Sequence, residues 1–150
     1  MGIYKASEVK LTYKSKVKAS ERPQIRCSQD IYKLLKDSVF DSDTIEHHES
    51  LKVVLLNRAG KVLGFHTVSV GGTSECTADT KIIMQAAILG NANAIILSHN
   101  HPSGNMSPSP QDDLLTEKLS KVCKLMGMSL LDHIIVTTEN YYSYADEGRI

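Results

Sequence analysis

The sequence is poor in cysteine and shows no pairing pattern among the three it has: Cys27, Cys76 and Cys123 lie far apart, with no CxxC pair. Neither a disulfide framework nor a thiolate zinc site is suggested, and a reducing, cytoplasmic setting is expected. Also missing is any apolar run near the length of about 20 residues that a membrane span needs. The basic start, MGIYKASEVKLTYKSKVKASERP, has no apolar stretch behind it, so no secretory signal and no membrane insertion are expected. Internal repeats and low-complexity tracts are absent too, which leaves an ordinary globular domain as the expectation.

What is present agrees with that. The chain has 150 residues, 41% apolar and 23% charged. That length makes one domain, able to bury roughly two thirds of the surface of its unfolded form without disulfides or a structural metal. A formal net charge of zero hides an asymmetry: residues 1 to 26 hold seven Lys/Arg against two Glu, and the remainder ten against fifteen acidic residues. A basic segment of this kind is either a solvated first strand and linker or an arm with weak, salt-sensitive affinity for nucleic acid.

Hydropathy patterning gives the elements. Val9, Leu11 and Tyr13 alternate with period two and predict a half-buried strand, with Lys10, Lys14 and Lys16 suited to an exposed edge able to pair across subunits. Ser28 can cap a helix carrying Ile31, Leu34, Leu35 and Val39 on one stripe and ending near residues 41 to 43. Residues 51 to 57 and 61 to 70 read as adjacent antiparallel strands joined by Arg58, Ala59 and Gly60. After a loop over 71 to 79, Asp79 or Thr80 caps a second helix through about Leu89, with Ile82, Ile83, Ala86 and Ala87 inward and Gly90 as its stop. AIILS, 94 to 98, is apolar on both faces, as a central strand would be. A third helix runs from Pro110 to about Met126, with Leu115, Leu119, Val122 and Met126 at helical spacing and Gly127 after it; LLDHIIVTT is the next strand. The expected fold class is α/β, a single domain with a mixed sheet flanked by helices.

Residues 98 to 113, SHNHPSGNMSPSPQDD, place two of the six histidines one residue apart at the exit of the central strand. Side chains at i and i+2 of an extended segment share a side, so His99 and His101 can reach one ion. Ser109, Pro110, Gln111 and Asp112 approximate a capping box at the start of the third helix, which would account for Ser109 and Asp112 without any ligand. Alternatively, two imidazoles and one carboxylate make the three-ligand set of a catalytic zinc site with a fourth position left for water. Both readings stand on these residues alone.

The spacing His99, one residue, His101, seven residues, Ser109, two residues, Asp112 resembles the metal motif of the JAMM (JAB/MPN-type) metallo-hydrolases. The surrounding HNHPSG, PS, LLDHIIV and YADEG resemble the RadC-like bacterial branch, from about residue 28 onward. The resemblance implies a JAB/MPN, cytidine-deaminase-like architecture over residues 27 to 150 and one zinc ion held by His99, His101 and Asp112. It implies Glu49 as proton relay, with Glu46 the nearest competitor, and Ser109 as donor to a developing oxyanion. The implied activity is amide-bond hydrolysis on a peptide or isopeptide substrate. Residues 1 to 26 are too few for the helix-hairpin-helix module of longer RadC proteins, so a short form is expected. The alternatives are a DNA-repair-associated accessory protein with little hydrolysis, touching nucleic acid through residues 1 to 26, and an inactive MPN-like interaction domain.

Other residues invite weaker readings. His47 and His48 are adjacent, point opposite ways if extended, and read as loop histidines. Asp132 and His133 form either a couple that orients a ligand or simply a hydrogen-bonded strand histidine. Cys76 has no neighbour that would activate it. Asp113 reads as a helix-start charge, and Tyr141, Tyr142 and Tyr144 as packing against the sheet.

Overall fold

A computed structural model describes residues 2–71 and 78–150. Five strands form one sheet in the order β2-β1-β3-β4-β5. β1 is Ser50–Leu56, β2 Val62–Val70, β3 Ala94–Asn100, β4 Ser129–Val136 and β5 Tyr141–Ser143. β1 runs antiparallel to both β2 and β3, β3 and β4 are parallel, and β4 and β5 are antiparallel. The sheet is therefore mixed, as the sequence predicts.

Helices cover both faces. α1, Ser28–Leu34, continues through a π-helical turn, Leu35–Val39, and packs Ile31, Leu35 and Val39 on Val54, Leu56, Ile96, Ile134 and Val136. α2, Thr80–Leu89, and α3, Pro110–Leu125, cover the other face, where Ile83, Ala87, Leu119 and Cys123 meet Val53, Leu55, Ile95 and Leu97. β3 is buried along its whole length, because both of its faces carry helices and both of its edges carry strands. No helix among the described residues is long and apolar enough to cross a membrane.

Local chemistry explains most boundaries. Gly60 turns the β1–β2 hairpin at φ +77°, with Asn57 Oδ1 accepting the amides of Ala59 and Lys61. Asp79, not Thr80, caps α2, its carboxylate accepting the Lys81 amide at 2.9 Å. Gly127 follows the end of α3 at φ +70°, and Met126, at helical spacing in the sequence, caps the helix and is half exposed. Ser28 is the first helical residue and not the cap: Cys27 holds that position, while the Ser28 hydroxyl turns to Tyr141 and Asp146.

The predicted first strand is not one. Residues around Val9, Leu11 and Tyr13 lie in no strand, and Val9 is 83% exposed. An alternating pattern becomes a strand only when a neighbouring edge supplies the ladder hydrogen bonds. Among the described residues, the N-terminal segment meets the β1–β2 hairpin through an isolated bridge, Gln24 to Lys61, and through side-chain bonds from Gln24 to the Ala59 carbonyl and from the Tyr13 hydroxyl to the Leu63 carbonyl.

One irregularity positions a functional side chain. Opposite consecutive Ile95 and Ile96, β4 offers Leu130 and Asp132, so Leu131 is an extra residue. Such a bulge reverses the alternation beyond it. Leu130 before the bulge and His133 after it thereby both face α3.

Candidate metal centre

Pairing with β1 on one side and β4 on the other fixes the end of β3, with Leu51 opposite His99 and Ile135 on the far flank. His99 is in the strand and His101 just beyond it. Their Nε2 atoms lie 2.9 Å apart. Asp112 arrives from the first turn of α3, Oδ1 at 3.3 Å from His99 Nε2 and Oδ2 at 3.7 Å from His101 Nε2. These three residues are a group able to hold a metal ion, their candidate ligand atoms within 4.8 Å of one another. Four-coordinate zinc at about 2.0–2.1 Å from each ligand needs ligand atoms about 3.3 Å apart; His99 Nε2 and Asp112 Oδ1 stand at that separation, and the two imidazole Nε2 atoms are somewhat closer.

The two sequence readings of Ser109 and Asp112 hold together. Ser109 Oγ accepts the Asp112 amide at 3.1 Å and Asp112 Oδ2 accepts the Ser109 amide at 2.8 Å, a complete capping box. The cap fixes the carboxylate rotamer that faces the imidazoles. Capping and convergence are one arrangement.

The donor chemistry suits a cation. His101 Nδ1 lies 2.5 Å from the Asn105 carbonyl; a carbonyl only accepts, so Nδ1 carries the hydrogen and a neutral His101 has a bare Nε2. His99 Nδ1 lies 2.8 Å from His133 Nε2, so its Nδ1 is likewise engaged with protein. What remains between the rings is an Nε2 pair facing a carboxylate. Burial disfavours a charged His101, but Asp112 and the Asn105 carbonyl outweigh it and raise its pKa above the usual imidazole value. Burial likewise opposes the Asp112 charge, yet the facing His101 and His99 rings and the Ser109 amide hold its carboxyl far below the ordinary range.

Glu49 immediately precedes β1 and is half-buried, and its charge acts on His101. Its backbone is held from three sides: its carbonyl accepts the Gly71 amide at 2.8 Å, and Asn100 bonds the His48 carbonyl and the Ser50 amide. Glu46 instead accepts the Thr138 hydroxyl at 2.9 Å. It lines, with His101, Gly104, Met106 and Asn140, a cavity of about 480 Å³ beside the group.

The other sequence candidates separate. His47 and His48 meet each other, Nδ1 to Nδ1 at 3.0 Å, in the turn before β1. Asp132 does not pair with the His133 ring; its carboxylate takes the His133 amide, the Ser143 hydroxyl and the Ala145 amide. Asp113 turns away to the Tyr144 hydroxyl at 2.6 Å and Arg149 at 2.7 Å. Tyr144 is buried and stacks on His133, rings 4.9 Å apart and 6° from parallel. Cys76 lies outside the described residues.

Sequence reasoning missed Asn100 and Thr116. Asn100 sits between the two histidines but on the opposite face of β3, where alternation sends it. Thr116 is one helical turn after Asp112, a spacing that puts it beneath the carboxylate and was legible.

Comparison with known proteins adds the lineage. A family model described as RadC-like JAB domain matches residues 25–149. The chain is 36% identical over 151 residues to a UPF0758 protein of Aquifex aeolicus, covering 99% of this chain and 63% of that protein. With a UPF0758 protein of Porphyromonas gingivalis it shares 46% identity over 101 residues, 67% of this chain and 44% of the relative. A third, from Thermotoga maritima, is 34% identical over 123 residues, covering 82% and 53% respectively. The chain thus spans less than two thirds of the length of these relatives.

Proposed function

The chain belongs to the RadC-like JAB domain family, and from that premise we propose that it is a metal-dependent hydrolase of amide bonds in peptides or isopeptides. His99 and His101, through Nε2, and Asp112 would hold one zinc ion. The observation that carries the reading is the convergence of two imidazole Nε2 atoms and a carboxylate, with both Nδ1 atoms turned to protein partners.

A zinc ion held there by His99, His101 and Asp112 would supply Lewis acidity and lower the pKa of a water to about 7. Glu49 takes a proton from the attacking water as the oxygen–carbon bond forms, and returns it to the leaving nitrogen as the carbon–nitrogen bond breaks. Ser109 Oγ receives the Asp112 amide, which leaves its own proton to donate to the developing oxyanion. The cavity beside His101 gives the substrate a polar approach.

The test is metal content and peptide or isopeptide cleavage of the wild type against His101→Ala and Glu49→Gln. His101→Ala should lose both metal and activity, whereas Glu49→Gln should keep the metal and lose activity. A wild type that stays metal-free through purification without chelators overturns the reading.

A second reading has its own support. Lys5, Lys10, Lys14, Lys16 and Lys18 are all exposed on the N-terminal segment, free to neutralise phosphates as an accessory nucleic-acid contact. Under it, DNA affinity falls steeply with salt and the slope flattens when residues 1 to 26 are removed. Absence of binding at low salt disposes of it.

A further inference from the structure

We propose that His133 and Thr116 are positioning residues that fix the tautomer of His99, holding its Nε2 as a bare lone pair toward Asp112 and His101. The proposal deepens the metal-centre reading above and rests on it for its purpose, though not for its geometry.

The relay is buried. His133 is fully enclosed, and the bulge at Leu131 turns it toward α3, where Tyr144 stacks flat on its ring. Its Nε2 lies 2.8 Å from His99 Nδ1 and its Nδ1 lies 2.6 Å from Thr116 Oγ1. Thr116 Oγ1 in turn lies 2.7 Å from the backbone carbonyl of Asp112. Three hydrogen bonds therefore run from the backbone of one proposed ligand to the ring of another.

The direction of these bonds follows from elementary valence. The Asp112 carbonyl can only accept, and a threonine hydroxyl has one proton, which it gives to that carbonyl. Toward His133 the same oxygen must accept, so His133 Nδ1 carries a hydrogen. Among the described residues no carboxylate meets the His133 ring, since Asp132 is spent on Ser143 and two backbone amides. A neutral His133 then has an acceptor at Nε2 and takes a hydrogen bond from His99 Nδ1–H. A neutral His99 with its hydrogen on Nδ1 has Nε2 free.

The opposite polarity would undo this. Were Thr116 to donate to His133, the hydrogen would sit on His133 Nε2, His99 Nδ1 would accept it, and His99 Nε2 would carry the proton that blocks ligation. The Asp112 carbonyl is what makes the two directions unequal. A hydroxyl at position 116 is therefore required, and a methyl there is insufficient.

The experiment uses the full chain labelled with ¹⁵N-histidine. In the metal-free wild type, long-range ¹H–¹⁵N correlations should report His99 and His133 both protonated at Nδ1. Thr116→Val should move His133 toward the Nε2–H form and weaken zinc binding about 10–100-fold in competition with a chromophoric chelator. Thr116→Ser should restore both the tautomer and the affinity. A wild-type His99 protonated at Nε2 overturns the proposal, as does a folded Thr116→Val protein that keeps its tautomers and binds zinc within about twofold of wild type. If Thr116→Val fails to fold, the wild-type spectrum decides alone. A wild type that binds no zinc sinks the metal reading, and the tautomer spectrum still judges the relay.

Discussion

Asn100 brackets Glu49. Its amide nitrogen reaches the His48 carbonyl at 2.9 Å and its oxygen takes the Ser50 amide at 2.8 Å, so one side chain holds the backbone on either side of the glutamate. A third bond, to the Ile45 carbonyl at 2.7 Å, anchors the preceding turn. The asparagine between the two histidines thus serves the strand end on the opposite face from them.

Replacing Asn100 with Ala should accordingly cost stability and activity without emptying the metal group. Asn100 is 1% exposed, and each backbone group stranded by the change costs about 1–3 kcal/mol when no water replaces the partner. Urea unfolding should show the loss, and zinc stoichiometry should be unchanged. A variant with wild-type stability and turnover would mean that Glu49 is held by other contacts.

Capping and ligation by Asp112 can be separated. Asp112→Asn retains an oxygen for the Ser109 amide, so helix stability should change little, while zinc affinity should fall at least about 10-fold through loss of the anionic ligand. Ser109→Ala removes the reciprocal cap and should cost about 1 kcal/mol, with zinc still bound. Thermal unfolding and chelator competition on the two variants read the two functions independently. Equal affinity in Asp112→Asn and wild type would reduce the carboxylate to a cap.

Much of this was legible beforehand, for reasons that differ by element. β3 announced itself because a strand with helices on both faces must be apolar throughout, and His99 and His101 followed from alternation at its end. α3 was bounded by Ser109, Pro110 and Gly127, residues whose backbone preferences act locally. The edge strand around Val9 failed because pairing depends on a partner that local pattern does not reveal. β5 escaped notice because three residues show too little alternation to read, and His133 could not be assigned a face because the bulge at Leu131 resets the count. Thr116 needed only the i+4 rule applied to Asp112.

Proton competition predicts the pH dependence of metal binding. In the metal-free protein the His101 pKa is raised, net of burial, by Asp112 and Asn105. The protonated imidazole therefore contributes stability that is fully present below the unfolded value and lost as pH rises through the folded one. Zinc requires the deprotonated ring. Asp112, its pKa depressed, stays ionised through the same range. The rise in Tm on adding zinc should therefore grow between about pH 6 and pH 8. Paired melts with and without zinc across that window check it, and a shift independent of pH would mean that His101 does not ligate.

Tyr144 joins the C-terminal turn to the buried histidine in two separable ways. Its hydroxyl donates to Asp113, which Arg149 also holds, and its ring lies flat on His133. Tyr144→Phe removes only the hydroxyl bond and should cost about 0.5–1.5 kcal/mol, leaving zinc affinity within about twofold of wild type. Tyr144→Ala also opens a cavity against His133 and should cost about 3–5 kcal/mol, with zinc affinity reduced because the ring that supports His99 can tilt. Urea denaturation and chelator titration of the two variants separate the contributions. If both lose zinc equally, the Asp113 bond, and not the stacked ring, steadies the site; if neither does, His133 is held by Thr116 and the sheet alone.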